Sequence, residues 1–550
     1  MEGSSTINSG AAGGSRALAA ALDAWGGALG AEHIRTDEAT LNRYGRGTAT
    51  TTPKPLGVLY PSSTQEVQRV VQIAAENGIP LYPISKGKNW GYGDAAAPTE
   101  GQVIVDLGRM NRILEVNTRL KYAVVEPGVT QQQLYQYLQE HKTGLWMDAT
   151  GAGLEASLVG NTLDRGFGHT RYGDHFLTCC GMEVVLADGR VLDTGFGHYP
   201  NAKAARAYRY GVGPFLDGLF AQSNYGIVTQ IGLWLMPAPE DFCAFFCLSP
   251  DENSLEDMID RLAELRMQGI LQTTIHVGND LRVFSSRTRY PWHLTNGQTP
   301  LPPAVRSQLR KQFSVGAWNV GGAIVGSRGT VRAARRHVAK VLAKYRPVFL
   351  DDRRLALAQR AIGLANRIGL CKGLAERLES VKPVYGLLKG IPTDEPLRGA
   401  SWRVRDPDPE KPVDPLDCQA GLLWASPVVP AVGESAREVM SIIEPIYNKH
   451  GFECLVTFTL ITERAMCCVT NVAFDKRVPE EAAAAKRCYD ELLDTLISSG
   501  YIPYRTGPTG MAKLSEGPSV FWDLARQIKQ TLDPQNILSP GRYIPRLKAD

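Results

Sequence analysis

The 550-residue sequence has no run of 18 apolar residues, so nothing in it is long enough to cross a bilayer as a helix. Its start lacks a basic segment followed by an apolar stretch; Met1 to Arg16 is rich in Gly, Ser and Ala and reads as a loose terminus, not a signal peptide. Ten cysteines are present without any CxxC pair, Cys179-Cys180 and Cys467-Cys468 being vicinal and the others scattered. That spacing speaks against a zinc or redox centre, so no metal is expected. The expected compartment is the cytoplasm, where these thiols stay reduced. Charge of one sign is missing too: 60 Lys and Arg face 56 Asp and Glu, a net +4 with no long basic run. The electrostatic footprint of a nucleic-acid binder is therefore absent, no membrane partner is expected, and a small-molecule partner is. Neither GxGxxG nor GxxxxGK[ST] occurs, which counts against a nicotinamide Rossmann domain and an NTPase.

What is there is the balance of a globular protein, 43% hydrophobic and 21% charged residues, in a chain long enough for two or more domains. From Pro55 to about Pro237 short apolar runs alternate with amphipathic segments, the mark of mixed α and β layers. Ser63 and Glu66 form a capping box ahead of Val67, Val70, Val71 and Ala74, predicting a helix to about Asn77-Gly78. Strands follow at Ile79 to Ile84, Val103 to Leu107 and Tyr122 to Glu126. Thr130 caps a helix with Leu134 and Leu138 inward, ending before Gly144. Asp188-Gly189, between apolar runs, predicts a tight hairpin over Met182 to Asp193. After Met236-Pro237-Ala238-Pro239 the composition turns to aromatic-rich strands and long helices, interrupted by the charged, Pro-rich loop Arg403 to Asp417. The expected organisation is an N-terminal segment over 1–54, a first domain over 55–238, a second over 239–500, and a segment over 501–550 too short to fold alone. That last segment carries a helix around Val520 to Thr531 and should pack back on an earlier domain.

The glycine-rich loop Pro83-Ile84-Ser85-Lys86-Gly87-Lys88-Asn89-Trp90-Gly91-Tyr92-Gly93 follows a buried strand. So many glycines let backbone N–H groups approach an anionic ligand, although by itself the loop fits a plain flexible turn equally well. A second glycine-punctuated stretch runs from Ala156 to Asn161 and on through Arg165-Gly166-Phe167-Gly168-His169 to His175. Two such stretches in one domain suggest one extended ligand. Near the end, Tyr504-Arg505 places a guanidinium beside a phenol, a pair suited to holding an oxyanion, though in isolation most such arginines are ordinary surface residues.

Taken together, and in order along the chain, PISKGKNWGYG, VVEPGVT, LVGNTLDRGFGHTRYGDHF, GMEVVLADGRVLDTG, GPFLDGLFAQSNYGIVTQIGLWLMP, GLLKGIPTDEP, LLWASPVVP, PYRTG and LDPQNILSPGR resemble the vanillyl-alcohol oxidase and 4-cresol dehydrogenase family of flavoproteins. The resemblance covers nearly the whole chain from about Pro55. It implies an α+β protein: an FAD-binding domain of two subdomains over 55–238, a cap (substrate) domain with a large antiparallel sheet over 239–500, and a C-terminal segment returning to the FAD domain. It implies FAD contacts at Pro83, Ser85, Lys86, Gly87, Lys88 and Asn89, at Gly151, Ser157, Gly160, Asn161, Leu163 and Gly168, at Gly226, Ile227 and Val228, and at Arg542. A homodimer or larger assembly is also implied.

Family members oxidise para-substituted phenols, and Tyr92, Tyr504 and Arg505 match the trio that binds the substrate phenolate. An ionised phenol is the better hydride donor, and a hydride leaving its benzylic carbon for the flavin N5 gives a para-quinone methide. Two family positions differ. An acidic residue beside the flavin aligns with Gly151, and one inserted residue makes Glu155 the candidate to fill its place as a base. The histidine that anchors FAD covalently in the oxidase branch aligns with Leu422, so that bond cannot form. Cys418, Cys467, Cys468 or a tyrosine leave other linkages open, and non-covalent FAD is the expectation. Trp424 matches a cavity-lining aromatic, and His169 replaces a frequent tyrosine as a proton carrier or a plain hydrogen-bonder.

The implied function is FAD-dependent benzylic oxidation of a 4-hydroxyphenyl substrate. Loss of a neighbouring carboxylate as carbon dioxide fits Gly151, because it needs no enzyme base; a hydroxylating or desaturating oxidase or dehydrogenase is the alternative. The reoxidant is oxygen or a separate electron acceptor, since no CxxCH haem motif occurs. Thr457 matches the oxidase branch. Two further readings are a sugar or hydroxy-acid oxidase, which would have no use for the trio, and a non-catalytic flavin-fold protein.

Overall fold

The computed structural model describes residues 8–367, 381–405 and 413–544. Helix Asn8–Leu29 replaces the loose terminus expected through Arg16 from Asn8 onward; residues 1–7 lie outside the described residues. The reason is an apolar stripe at helical spacing, Leu18, Ala21, Leu22, Trp25 and Leu29, which packs on the first layer of the fold. The Trp25 indole also donates to Val70 O at 3.1 Å.

That first layer is a four-stranded sheet in the order Ile34–Arg35, Val58–Leu59, Val103–Asp106, Leu81–Ile84, the last three parallel. Parallel strands of one sheet need a crossover, and helix Thr64–Asn77 supplies the one from Val58–Leu59 to Leu81–Ile84, which flank Val103–Asp106 on either side. Ser63 Oγ accepts from Glu66 N at 3.2 Å, while the Glu66 carboxylate reaches back to Ser62 N at 2.7 Å, one residue beyond the usual capping box. Gly78 ends the helix at φ 64°, a left-handed conformation that costs glycine little. Val67, Val70, Val71 and Ala74 are completely buried against Leu81, Val103 and Val105.

The second layer is antiparallel, in the order Ile113–Asn117, Tyr122–Val125, Ile227–Trp234, Cys179–Val185, Val191–Asp193. The Asp188-Gly189 turn joins the last two, with Gly189 at φ 81°. Thr130 caps helix Gln131–Glu140, accepting from Gln133 N at 3.1 Å. Strand Ile113–Asn117 has no clear sequence signal, because it is a partly exposed edge without a buried face. Met236–Pro237, read as a stop, pairs with Leu145–Trp146.

The third layer is an eight-stranded antiparallel sheet built from Asp241–Ser249, Ile275–Asn279, Trp318–Gly326, Val348–Leu350, Ala420–Ala425, Val428–Pro430, Leu455–Leu460 and Ala465–Asp475. Side chains alternate across a strand, and here the alternation divides core from cavity. Ile275, Val277, Leu423, Ala425, Val456, Phe458, Cys468 and Val472 enter a core covered by helices Leu255–Met267, Arg328–Val341, Gly433–Lys449 and Pro479–Ser498. Their neighbours His276, Leu422, Trp424, Thr457, Thr459 and Asn471 face the opposite way, into a cavity. Of the loop expected over Arg403 to Asp417, residues 406–412 lie outside the described residues.

The chain then returns to the first sheet. Leu81 N donates to Ile537 O and Ser539 N to Leu81 O, each at 2.7 Å. Lys529, in helix Val520–Leu532, is buried and spends its ammonium on Asn224 O at 2.6 Å, Leu538 O at 2.8 Å and Asp533 at 2.5 Å. These contacts bring Arg542 to the cavity.

Candidate active site

The cavity, about 480 Å³, lies between the loops of the first two layers and the open face of the eight-stranded sheet. Pro83, Ser85, Lys86, Gly87, Lys88 and Asn89 line it from the glycine loop, and Ser157, Gly160, Asn161 and Leu163 from the short helix Leu158–Leu163 and its cap. Gly151, Gly226, Ile227, Val228 and Arg542 line it as well. Ser157 caps its helix by accepting from Gly160 N at 3.0 Å. Gly91 sits at φ 77°, and a Cβ there would fall 2.1 Å from the Trp424 indole, so only glycine lets that ring approach. Trp424 is fixed in turn by donating to Trp90 O at 3.0 Å.

Tyr92, Trp424, Tyr504 and Arg505 meet on this wall although up to 413 positions separate them in sequence. The Arg505 guanidinium carbon lies 3.8 Å from the Tyr92 ring centroid and 5.2 Å from that of Tyr504. The two phenol rings stand edge to face at 6.5 Å, and the Trp424 ring lies nearly parallel to Tyr92 at 6.2 Å. Tyr92 Oη is 3.0 Å from Ser426 Oγ. Burial pushes the Tyr92 phenol up despite the pull of Arg505 and Ser426, and pushes Tyr504 up much further, so both remain protonated donors at neutral pH. Burial alone would lower Arg505, but Tyr504, Tyr92 and Asp164 outweigh it and it stays a fixed cation.

His169 lines the cavity with Nδ1 3.0 Å from Ala149 O; a carbonyl only accepts, so Nδ1 carries the proton and Nε2 is left as an acceptor. Burial lowers its pKa, and its ring lies 4.5 Å from that of His276. Two expected residues fall outside the cavity. Glu155 has a side chain 56% exposed and faces Lys86 at 3.6 Å, so it is a solvated carboxylate and does not fill the place of the missing acid. Gly168 is packed against Asp148: a Cβ there would lie 1.7 Å from Asp148 Oδ2, a steric reason for glycine that involves no ligand. Leu422 is buried on the cavity wall. Cys467 and Cys468 are fully buried with thiols pushed far up, Cys418 is also raised by burial, and none of the three is a ready nucleophile.

Several residues of the site do not stand out in the sequence as site residues. Asp164 sits under the trio, its Oδ2 accepting from Asn89 at 2.8 Å and facing Arg505 at 3.4 Å, its Oδ1 held by Arg542 at 2.7 Å. His276 Nδ1 meets Thr459 Oγ1 at 3.1 Å across paired strands. Arg282 and Asn471 complete the sheet side. Only the odd-even parity of their strands could have pointed to His276 and Asn471.

The donor set suits a dinucleotide that carries negative charge. A glycine loop opens onto one part of the cavity, two guanidiniums share the single carboxylate of Asp164, and Arg505 Nε is buried with no hydrogen-bond partner among the described residues. Residues 55–195 match the family described as "FAD binding domain", and residues 436–543 match "FAD linked oxidases, C-terminal domain". The chain is 36% identical over 534 residues to the 1'-carboxy-chondrochloren decarboxylase of Chondromyces crocatus, covering 96% of this chain and 97% of that one. It is 34% identical over 492 residues to the flavoprotein subunit of 4-cresol dehydrogenase [hydroxylating] of Pseudomonas putida, covering 89% and 87%. A solved structure of 4-ethylphenol oxidase from Gulosibacter chungangensis, in complex with isoeugenol, superposes with a TM-score of 0.86 at 30% identity, over 96% of this chain and 98% of that one.

The chain belongs to the vanillyl-alcohol oxidase and 4-cresol dehydrogenase family. Like its relatives it has an α+β fold, and it is an FAD-dependent oxidoreductase. Among the described residues no helix is long and apolar enough to cross a membrane.

Proposed function

We propose that this family member oxidises a 4-hydroxyphenyl compound at its benzylic carbon, taking the substrate as its phenolate. The observation that carries the reading is the buried grouping of two protonated phenols, Tyr92 and Tyr504, around the fixed cation Arg505. Hydroxyl donors and a guanidinium in a water-poor site stabilise an oxyanion far better than they would in solvent. They therefore favour the ionised substrate, whose oxygen electron pair drives hydride departure from the para benzylic carbon and leaves a quinone methide. Bound FAD supplies the two-electron acceptor. Pro83, Ser85 to Asn89, Ser157, Gly160, Asn161 and Arg542 are the residues we assign to holding it, and Trp424 is assigned to the face of the substrate ring.

We further propose that the quinone methide is resolved by decarboxylation. The carbon–carboxylate bond breaks, its electron pair forms the side-chain double bond, the ring recovers its phenolate, and carbon dioxide leaves. This route asks nothing of an enzyme base, which suits Gly151 and the solvated Glu155. The 36% identity to a protein named as a decarboxylase supports it. FAD is held without a covalent bond at Leu422, and denaturation in acid should release it from the protein. Oxygen is the proposed reoxidant, the cytoplasm the proposed compartment, and a homodimer or larger assembly the proposed state.

The test is the anaerobic visible spectrum of the holoenzyme mixed with 4-hydroxyphenyl compounds and their O-methyl ethers, followed by product mass. Bleaching by the free phenols alone, with an acid substrate yielding a product lighter by carbon dioxide and two hydrogens, is the expected result. A flavin reduced by a sugar or hydroxy acid but by no phenol would overturn the reading.

A further inference from the structure

Arg282 is a largely buried cation that faces no carboxylate among the described residues. It stands in the short helix Asp280–Ser285, whose first turn is closed by Asn279 Oδ1 accepting from Arg282 N at 2.9 Å. All its side-chain hydrogen bonds leave from one nitrogen: Nη2 donates to Leu455 O at 3.0 Å, Val469 O at 3.5 Å and Asn471 Oδ1 at 2.7 Å. Nε is buried with no hydrogen-bond partner among the described residues. Burial pulls this guanidinium down to about 10, and no carboxylate offsets the effect.

Its neighbour repeats the pattern. Asn471 accepts from Arg282 with its oxygen, which fixes the amide's orientation, and its Nδ2 is buried with no hydrogen-bond partner among the described residues. Both residues line the cavity, so its wall carries two donors without hydrogen-bond partners among the described residues, one of them on a guanidinium. Leaving such groups unpaired in a buried site is costly, and an anion would satisfy them together. The site shares a wall with the phenolate trio. The Arg282 guanidinium carbon is 5.4 Å from the Trp424 ring, and that ring is the one lying parallel to Tyr92. Two of the cations on the cavity wall, Arg505 and Arg282, thus stand on either side of the Tyr92 and Trp424 rings.

We propose that Arg282 and Asn471 Nδ2 bind a carboxylate on the side chain of the phenolic substrate, which makes the substrate class a 4-hydroxyphenyl acid. This rests on the phenol-oxidising reading above and names the second end of the same substrate. Arg282 is a positioning residue: it fixes the carboxylate and hence the orientation of the bond next to the benzylic carbon.

The experiment compares 3-(4-hydroxyphenyl)propionate with neutral 4-propylphenol on holoenzyme carrying Arg282→Met, Arg282→Lys or Asn471→Asp, reading apparent Kd from anaerobic flavin reduction. A charge-assisted pair lost from a buried site should weaken the acid about ten- to hundredfold more than the neutral phenol in R282M. R282K should restore part of that difference, and N471D, which puts a carboxylate beside the guanidinium, should weaken the acid selectively. Equal losses for both substrates, no selective loss, or release of FAD by R282M would overturn the proposal. Should no phenol reduce the wild-type flavin, the phenol-oxidising reading fails. The acid site is then judged by equilibrium titration of the flavin spectrum with the propionate, which R282M must still weaken.

Discussion

Asp164 Oδ2 faces the Arg505 guanidinium at 3.4 Å, while its other oxygen is committed to Arg542 at 2.7 Å. One buried carboxylate therefore positions two cations from the returning C-terminal segment, one beside the phenol pair and one beside Tyr82. Asp164→Asn would leave both guanidiniums buried and uncompensated. Removing one partner of a buried ionic cluster typically costs about 3–5 kcal/mol. A loss of that order in the denaturant midpoint of the holoenzyme, with slower flavin reduction by phenols, is expected. A variant as stable and as fast as wild type would show that Arg505 is held by packing alone.

Arg505 itself supplies the fixed charge for the phenolate. Deleting one donor to a developing oxyanion costs roughly 10²–10³ in rate, so Arg505→Gln should slow anaerobic flavin reduction by that factor. The loss should shrink as pH rises towards the substrate's own phenol pKa, because solvent then ionises what the enzyme no longer does. A pH-independent deficit would mean that Arg505 binds the substrate without favouring its anion.

Local chemistry was readable in the sequence where it rests on neighbours in the chain. Ser63 and Thr130 cap the helices they announce, and Asp188-Gly189 turns the hairpin. The glycine loop and Tyr504-Arg505 were visible as motifs, and the family resemblance joined them. Arg282, His276 and Asn471 were not visible, because nothing near them in sequence distinguishes a cavity residue from a core residue. Their setting arises from strand register, Trp424 opposite Asn471 and His276 opposite Thr459, between segments far apart in the chain. Glu155 failed for a related reason: spacing placed it near Gly151, but Lys86 and solvent claim its carboxylate.

Gly151 gives a gain-of-function test. It lies on the cavity wall outside the left-handed region, and a Cβ there would meet only Pro396, at 3.4 Å, a contact the neighbour can absorb by a small shift. Gly151→Asp should therefore fold, keep FAD and restore an acid beside the reacting carbon. With a 4-alkylphenol, whose side chain has no carboxylate to lose, the variant should raise the yield of hydroxylated product relative to wild type, by an amount read from product masses. Unchanged product ratios in a folded, FAD-loaded variant would show that the fate of the quinone methide is not controlled from this position.

Asp94 supplies the pH dependence. Its Oδ2 accepts from Thr48 N at 2.7 Å and Thr48 Oγ1 at 2.9 Å, yet Oδ1 is buried with no hydrogen-bond partner among the described residues, and burial lifts the carboxyl to about 7. A carboxyl raised in the folded state above its unfolded value of about 3.9 favours folding fully only below that lower value; the advantage is lost as pH rises to about 7 and stays lost above it. The full linkage is at most about 4 kcal/mol. Asp94→Asn removes the titration. Urea unfolding of the wild type and of Asp94→Asn should show the variant's relative stability rising between pH 5 and pH 8 and levelling off beyond. A difference that stays flat over that range would mean that Asp94 remains ionised in the folded protein, held so by Thr48 and the nearby charge of Lys476.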